Sequence, residues 1–203
     1  MCFDAPMITL LLGGARSGKS ALAERLVLTH PGAVRYLATA EVADDDFARR
    51  VAAHRDGRDP RFTTVECGAD LAAALRAAPA VPCLVDALGT WVATEAMTAR
   101  WSSERWSSPR STGSPTALDD AIDDLVDALT ERPGPTVLVS DEVGLGVHPE
   151  TEVGRRFRDV IGTVNQAVAA VADDVLLVVA GRVLRLEPPD AVGLGVRYAL
   201  DEP

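Results

Sequence analysis

Residues 13–20 form a glycine-rich segment whose spacing suits the phosphates of a nucleotide. Gly13-x-x-x-x-Gly18-Lys19-Ser20 follows an apolar run and precedes a stretch with helical periodicity. Glycine lets backbone N–H groups approach phosphate oxygens in conformations that a β-carbon would resist. Lysine can reach the β- and γ-phosphates, and the serine hydroxyl can coordinate Mg²⁺. The segment therefore predicts a phosphate-binding loop that leads into a helix, whose dipole favours an anion.

Acidic residues follow two of the apolar runs, and they could supply carboxylates to the phosphate-binding loop. Asp86 closes the run VPCLVD, and at the end of a parallel strand it would lie beside the nucleotide and help Ser20 to hold Mg²⁺. A helix N-cap is the alternative role for Asp86. Asp141 and Glu142 follow the run TVLVS and could assist the metal, contact substrate or simply end the strand.

His54 lies in the arginine-rich stretch RVAAHRDGR and has two possible roles. It shares an i, i+4, i+7 row with Phe47 and Val51, a pattern that favours a buried, hydrogen-bonded histidine. Arg50 and Arg55 would instead favour a nearby phosphate, and a neutral imidazole can attack phosphorus. The arginines themselves could also be a solvated helix face. The residues alone leave both roles of His54 open.

The elements that would position these residues alternate along the chain. Short apolar runs separated by helical stretches predict an α/β fold of the P-loop NTPase kind, a mostly parallel sheet flanked by helices. The predicted strands are Ile8–Leu12, Val34–Ala38, Cys83–Asp86, Thr136–Ser140 and Val175–Ala180. The predicted helices are Lys19–Thr29, Asp44–His54, Ala69–Ala77, Thr116–Glu131 and Glu152–Ala172. The segment GRVLRLEPP predicts a short edge strand after the last of the five.

The length of 203 residues predicts one nucleotide-binding domain spanning residues 1–203. Residues 102–115 are rich in serine, proline and glycine and predict a flexible surface loop. The tail, residues 188–203, has no periodic signal and receives no assignment.

Composition excludes several classes of protein. The net charge of −10 argues against a nucleic-acid partner. The sequence contains no stretch of 18 uncharged apolar residues, so we expect no membrane span. The N-terminus lacks the basic region that is typical of a signal peptide. The three cysteines are widely spaced and predict neither a disulfide framework nor a zinc site. A cytoplasmic location fits this cysteine usage.

Eight segments in order resemble one enzyme family. They are GGARSGKSALAE, YLATAE, RVAAHRDGR, TVEC, the strand that ends at Asp86, SDEVGLGVHPE, FRDVIGTVNQ and VLLVVAG. The chain is similar, from about Ile8 to Ala180, to the bifunctional adenosylcobinamide kinases/adenosylcobinamide-phosphate guanylyltransferases of cobalamin assembly. Many NTPases share the phosphate loop, whereas H-x-D-G-R and E-V-G-x-G-x-x-P are far more selective.

The resemblance implies two reactions that use ATP or GTP with Mg²⁺. One phosphorylates adenosylcobinamide; the other attaches GMP from GTP to a histidine, releases pyrophosphate, and passes GMP to adenosylcobinamide phosphate. By resemblance the histidine is His54, Lys19 is catalytic, and Ser20 and Asp86 hold the metal. The family's nucleotide contacts fall on Gly13, Gly14, Ala15, Arg16, Ser17, Gly18, Lys19, Ser20, Ala38, Thr39, Ala40, Arg55, Asp56, Gly57, Arg58, Glu66 and Asp86. A homo-oligomer, a trimer, is implied as well.

Two other functions are compatible with a phosphate loop. One is a monofunctional kinase of another small molecule, in which His54 is merely structural. The other is a non-catalytic, nucleotide-dependent binding module that regulates a partner. Labelling with GTP alone separates the monofunctional kinase from the guanylyltransferase, since only the guanylyltransferase traps the label on the protein. A binding module should show slow hydrolysis that does not depend on cobinamide.

Overall fold

A seven-stranded sheet is the centre of the computed structural model, which describes residues 7–40, 58–97 and 117–189. The strands are β1 Ile8–Gly13, β2 Val34–Ala38, β3 Phe62–Glu66, β4 Cys83–Asp86, β5 Thr136–Asp141, β6 Asp174–Val179 and β7 Arg182–Leu186. Their spatial order is β3-β2-β4-β5-β1-β6-β7. Neighbouring strands are parallel except β6 and β7, which form an antiparallel hairpin.

Helices cover both faces of this sheet. They are α1 Lys19–Val27, α2 Leu71–Ala77, α3 Leu88–Met97, α4 Ala117–Glu131 and α5 Glu152–Val171. Because successive side chains of a strand point to opposite faces, β1 contributes to two cores. Leu10 and Leu12 pack in the core formed with α2–α5, whereas Leu11 packs in the core formed with α1. The continuous apolar runs of the sequence are therefore strands buried on both sides.

The structure confirms the predicted fold class, and the five predicted strands occur with ends within one residue of the prediction. The predicted edge strand is β7. Helix α1 ends at Val27 rather than Thr29, whose hydroxyl donates to the Leu26 carbonyl in a turn. The predicted helix Asp44–His54, the loop 102–115 and residues 190–203 of the tail lie outside the described residues.

Two elements were not predicted from the sequence. Strand β3 reads FTTVE, which has no continuous apolar run because it is the partly exposed edge of the sheet. Helix α3 begins only two residues after Asp86, and the Gly-Thr pair in its first turn is typical of a loop. Its Trp91 and Val92 are nevertheless buried in the core. Tertiary packing thus decides both elements.

Within the described residues, no helix combines the length and apolar character needed to cross a bilayer.

Candidate active site

Strands β1–β5 all end at the same edge of the sheet, called here the carboxyl edge. Register pairs Gly13 with Asp141 there, and pairs Ala38 with both Glu66 and Asp86. The predicted phosphate loop and both acidic tips are therefore brought together. In open α/β sheets this edge is where ligands bind.

The phosphate loop joins β1 to α1, and two of its glycines are required by the geometry. Gly18 caps α1 with a φ of +96°, a left-handed conformation that favours glycine. A β-carbon on Gly13 would lie 2.6 Å from the carbonyl oxygen of Val178 and 2.7 Å from Ser17 Oγ. Gly14, Ala15 and Arg16 are exposed on the loop. The loop thus presents backbone to solvent at the start of a helix, as anion binding requires.

Neighbouring strands hold the loop in place from two sides. The Glu142 N–H, just after β5, donates to the Gly13 carbonyl at 3.1 Å. The Gly181 N–H, in the β6–β7 turn, donates to the Ser17 carbonyl at 2.9 Å. These bonds tie the loop to elements far away in sequence.

Lys19 is paired with the second acidic tip. Its Nζ lies 2.8 Å from Asp141 Oδ1 and donates to the Gly14 carbonyl at 3.1 Å. Lys19 is buried, and Asp141 is about one-third exposed. A β-carbon on Gly89 would overlap Asp141 Oδ2, so glycine at the start of α3 makes room for this carboxylate. Asp141 balances the lysine charge when no phosphate does so.

Asp86 is directed toward the phosphate loop. Its Oδ1 accepts from Ser20 Oγ at 3.4 Å and its Oδ2 accepts from the Tyr36 hydroxyl at 2.6 Å. None of its described side-chain hydrogen bonds runs to an N–H of α3, which argues against the N-cap alternative. A serine hydroxyl and a carboxylate are oxygen donors of the kind Mg²⁺ prefers, so these residues fit a Mg²⁺–nucleotide complex.

Arg58, the last residue of the HRDGR segment, approaches Asp86 through Tyr36. Its guanidinium carbon lies 3.6 Å from the centre of the Tyr36 ring, a cation–π contact, and its Nε lies 3.6 Å from Glu24 Oε1. Burial, and then the charge of Asp86, raise the pKa of the Tyr36 phenol far above its ordinary value. The phenol therefore stays protonated and donates to Asp86.

The other predicted nucleotide contacts take different positions along the edge. Thr39, between Ala38 and Ala40, is fully buried, and its hydroxyl donates to the Ala87 carbonyl at 2.7 Å. Its side chain therefore holds the turn between β4 and α3. Glu66 is exposed at the end of β3, two strands from Asp86, or about 10 Å at the usual strand spacing. His54, Arg55, Asp56 and Gly57 lie outside the described residues.

His148, whose role the sequence leaves open, is exposed in the loop after β5. Its Nδ1 is within hydrogen-bond distance of Arg158 Nη1. Because a guanidinium only donates, Nδ1 accepts, and the proton of the neutral ring is then on Nε2. Neither ring nitrogen has a free lone pair in this arrangement, so His148 is a poor nucleophile as placed.

Sequence reasoning missed Tyr36 and Gly89. A tyrosine in an apolar strand was a usable signal, because a buried phenol needs a hydrogen-bond partner. Gly89 carried no such signal, since its neighbour Asp141 is 52 positions away in the sequence and contacts it only in the fold.

We expect Asp141→Asn to tighten nucleotide binding, because Lys19 would no longer have to break its ion pair with Asp141 before it binds a phosphate. The gain should be about fivefold, or ~1 kcal/mol, for such an ion pair. Titration calorimetry with a non-hydrolysable GTP analogue measures it. Glu142→Gln is the matched control, since it removes the same charge from the neighbouring residue, whose carboxylate bonds to Gly144 N–H. Equal nucleotide affinities for Asp141→Asn and the parent would contradict the idea that a phosphate replaces Asp141 as the partner of Lys19.

Tyr36→Phe should lower the free energy of unfolding by about 2 kcal/mol at neutral pH, the usual contribution of a hydrogen bond to a charged group. Because the phenol pKa is higher in the folded than in the unfolded protein, this contribution is complete below about pH 10 and is lost as the pH rises above it. Denaturant titrations of parent and variant from pH 7 to 10.5 test this. A difference that stays constant up to pH 10.5 would show that the phenol has the same pKa in the folded and the unfolded protein.

Comparison with known proteins places the chain in one family. The family model described as "Cobinamide kinase / cobinamide phosphate guanyltransferase" matches residues 9–186. The bifunctional adenosylcobalamin biosynthesis protein CobU of Salmonella typhimurium is 40% identical over 179 residues, 86% of this chain and 97% of that protein. The bifunctional adenosylcobalamin biosynthesis protein CobP of Pseudomonas aeruginosa is 41% identical over 177 residues, 86% of this chain and 94% of that protein.

Among solved structures, a KaiC-like protein of Pyrococcus horikoshii OT3 aligns with 84% of this chain and 70% of its own length, at 16% identity and a TM-score of 0.45. That similarity is too weak to bear on function. The residues that the family model matches, 9–186, include the phosphate loop, both acidic tips and all of the described strands except the first residue of β1. The chain therefore belongs to the cobinamide kinase / cobinamide phosphate guanyltransferase family.

Proposed function

We propose that the protein phosphorylates adenosylcobinamide with a nucleoside triphosphate and then transfers GMP from GTP to adenosylcobinamide phosphate, giving adenosyl-GDP-cobinamide. The observation that carries this proposal is the convergence of Lys19, Ser20 and Asp86 at one phosphate loop in a chain of this family. The family description names both a kinase and a guanyltransferase, which favours this function over a monofunctional kinase or a nucleotide-dependent binding module.

In the phosphoryl transfer, the hydroxyl oxygen of the aminopropanol arm attacks the γ-phosphorus. A new P–O bond forms, the bond to the β–γ bridging oxygen breaks, and the nucleoside diphosphate leaves with that electron pair while the hydroxyl proton is released. Lys19 and the loop amides hold the transferring phosphate and offset its charge. Ser20 and Asp86 would hold Mg²⁺, an ion that would supply further charge neutralisation.

In the guanylyl transfer, we propose that an imidazole nitrogen of His54 attacks the α-phosphorus of GTP and pyrophosphate leaves. A phosphate oxygen of adenosylcobinamide phosphate then attacks the same phosphorus, and the P–N bond breaks. The covalent intermediate divides a displacement between two bulky reactants into two easier steps.

The position of Arg58 supports this role for His54. Arg58 lies against Tyr36, whose hydroxyl bonds to Asp86, so the end of the HRDGR segment is beside the phosphate loop. His54 is four positions before Arg58 in the sequence, a span of at most about 14 Å at full extension. Arg55 and Arg58 would offset the charge on the α-phosphate, and Ala38–Ala40, Asp56, Gly57 and Glu66 would contact the rest of the nucleotide.

We also propose a cytoplasmic homo-oligomer, a trimer by family resemblance. Cys67 and Cys83 are free thiols, and burial raises the pKa of each to about 11, as suits unreactive cysteines in a reducing compartment. Exposed apolar side chains in the loop after β5 and in β7 offer contact surface for another copy. Leu145 and Val147 are 82% and 94% exposed, and Leu184 is 60% exposed.

We expect GTP and Mg²⁺, without any corrinoid, to add one GMP to His54 and to release pyrophosphate. GTP labelled at the α-phosphate and peptide mapping measure the adduct. A phosphoramidate should be labile in acid and persist in alkali. His54→Asn should abolish the adduct and the guanylyl transfer yet retain phosphorylation of adenosylcobinamide, because that step needs no covalent histidine.

His148→Asn is the matched control and should keep the adduct. A folded His54→Asn protein that still forms it would place the nucleophile elsewhere. A parent protein that phosphorylates adenosylcobinamide but never traps the label would be the monofunctional kinase, and one that does neither would fit the binding module.

A further inference from the structure

Helix α5 contains a glycine that neither its backbone nor its packing requires. Gly162 lies in the interior of this 20-residue helix, where glycine costs about 1 kcal/mol relative to alanine. Its φ is not among the positive values of the chain. A β-carbon built on Gly162 would meet no atom of the described residues within 4 Å. The space beside it is open.

That space is part of a cavity of about 740 Å³ between α5 and the β6–β7 hairpin. Its apolar wall includes Ile161, Val175 and Leu186, and its polar rim includes Arg158 and Gln166. The volume is within the range of small-molecule sites, and apolar walls with a few polar groups are their usual lining.

The cavity reaches a residue that contacts the phosphate loop. Asp141 lines it and is also the residue whose carboxylate lies 2.8 Å from Lys19 Nζ. Asn165, another lining residue, donates to the Asp141 carbonyl at 3.1 Å and accepts from the Ser140 hydroxyl at 2.5 Å. These bonds fix α5 against the end of β5, so the cavity keeps its position relative to the transferring phosphate.

This inference rests on the proposed function, whose acceptor must bring a hydroxyl to the γ-phosphate. A corrinoid has an apolar macrocycle bordered by amide arms, which matches an apolar wall with a polar rim. Adenosylcobinamide is larger than the cavity, which therefore suits one edge of the macrocycle and the arm that carries the hydroxyl. We propose that this cavity is the acceptor pocket, with Gly162 kept small so that the corrinoid can enter and reach past Asp141.

Two substitutions at one position test the pocket. Gly162→Ala should fold with equal or greater stability and raise the KM for adenosylcobinamide only slightly, because its β-carbon takes a small part of the space that the glycine leaves. Gly162→Phe should fill the cavity and raise that KM at least about tenfold. Formation of the GMP adduct from GTP alone should be unchanged in both variants, because that step needs no corrinoid. Gly162→Leu serves in the same way if circular dichroism shows that the phenylalanine variant does not fold.

An unchanged KM in the folded large-residue variant would overturn the pocket while leaving the proposed function intact. So would a raised KM accompanied by a change in the mass of the assembly by light scattering, since the cavity would then belong to a contact between copies of the chain. A parent protein that makes neither the adduct nor phosphorylated corrinoid would instead overturn the proposed function and the pocket with it.

Discussion

The ion pair between Lys19 and Asp141 is the interaction on which the site depends. The phosphate loop needs a lysine that is buried enough to act strongly on a phosphate, and such a charge requires a partner when no phosphate is present. Asp141 provides it at 2.8 Å, from the strand next to β1, and Gly89 leaves the room that this carboxylate needs. In the proposed function, a nucleotide would replace one anion by another without unpairing the lysine.

The two acids of the carboxyl edge consequently have different tasks. Asp86 faces Ser20 and receives the Tyr36 hydroxyl, an arrangement suited to a Mg²⁺–nucleotide complex. Asp141 serves Lys19 and also borders the cavity under α5. In the proposed function, one edge would hold a nucleotide between a metal side and an acceptor side. The same loop would serve γ-phosphoryl transfer and guanylylation, depending on which nucleophile approaches.

Local pattern was enough to predict most of the fold, because buried parallel strands are continuous apolar runs and amphipathic helices separate them. It failed for β3, an edge strand with two threonines, and for α3, whose first turn resembles a loop. The phosphate loop and Asp86 were predictable because their spacing carries the chemistry. Tyr36 was predictable in part, since a tyrosine in an apolar strand needs a hydrogen-bond partner, but strand order alone decides that this partner is Asp86. Gly89 was not predictable, since it meets Asp141 only through helix packing.

The claim that one phosphate loop serves both reactions is tested most directly with Lys19→Ala and GTP labelled at either the α- or the γ-phosphate. Transfer of α-label to the protein and of γ-label to adenosylcobinamide should both fall about 10²-fold or more in the folded variant, the scale expected when a charge at the transferring phosphates is lost. If γ-transfer falls while α-labelling continues at the parental rate, the histidine draws on a second nucleotide site and the account is wrong.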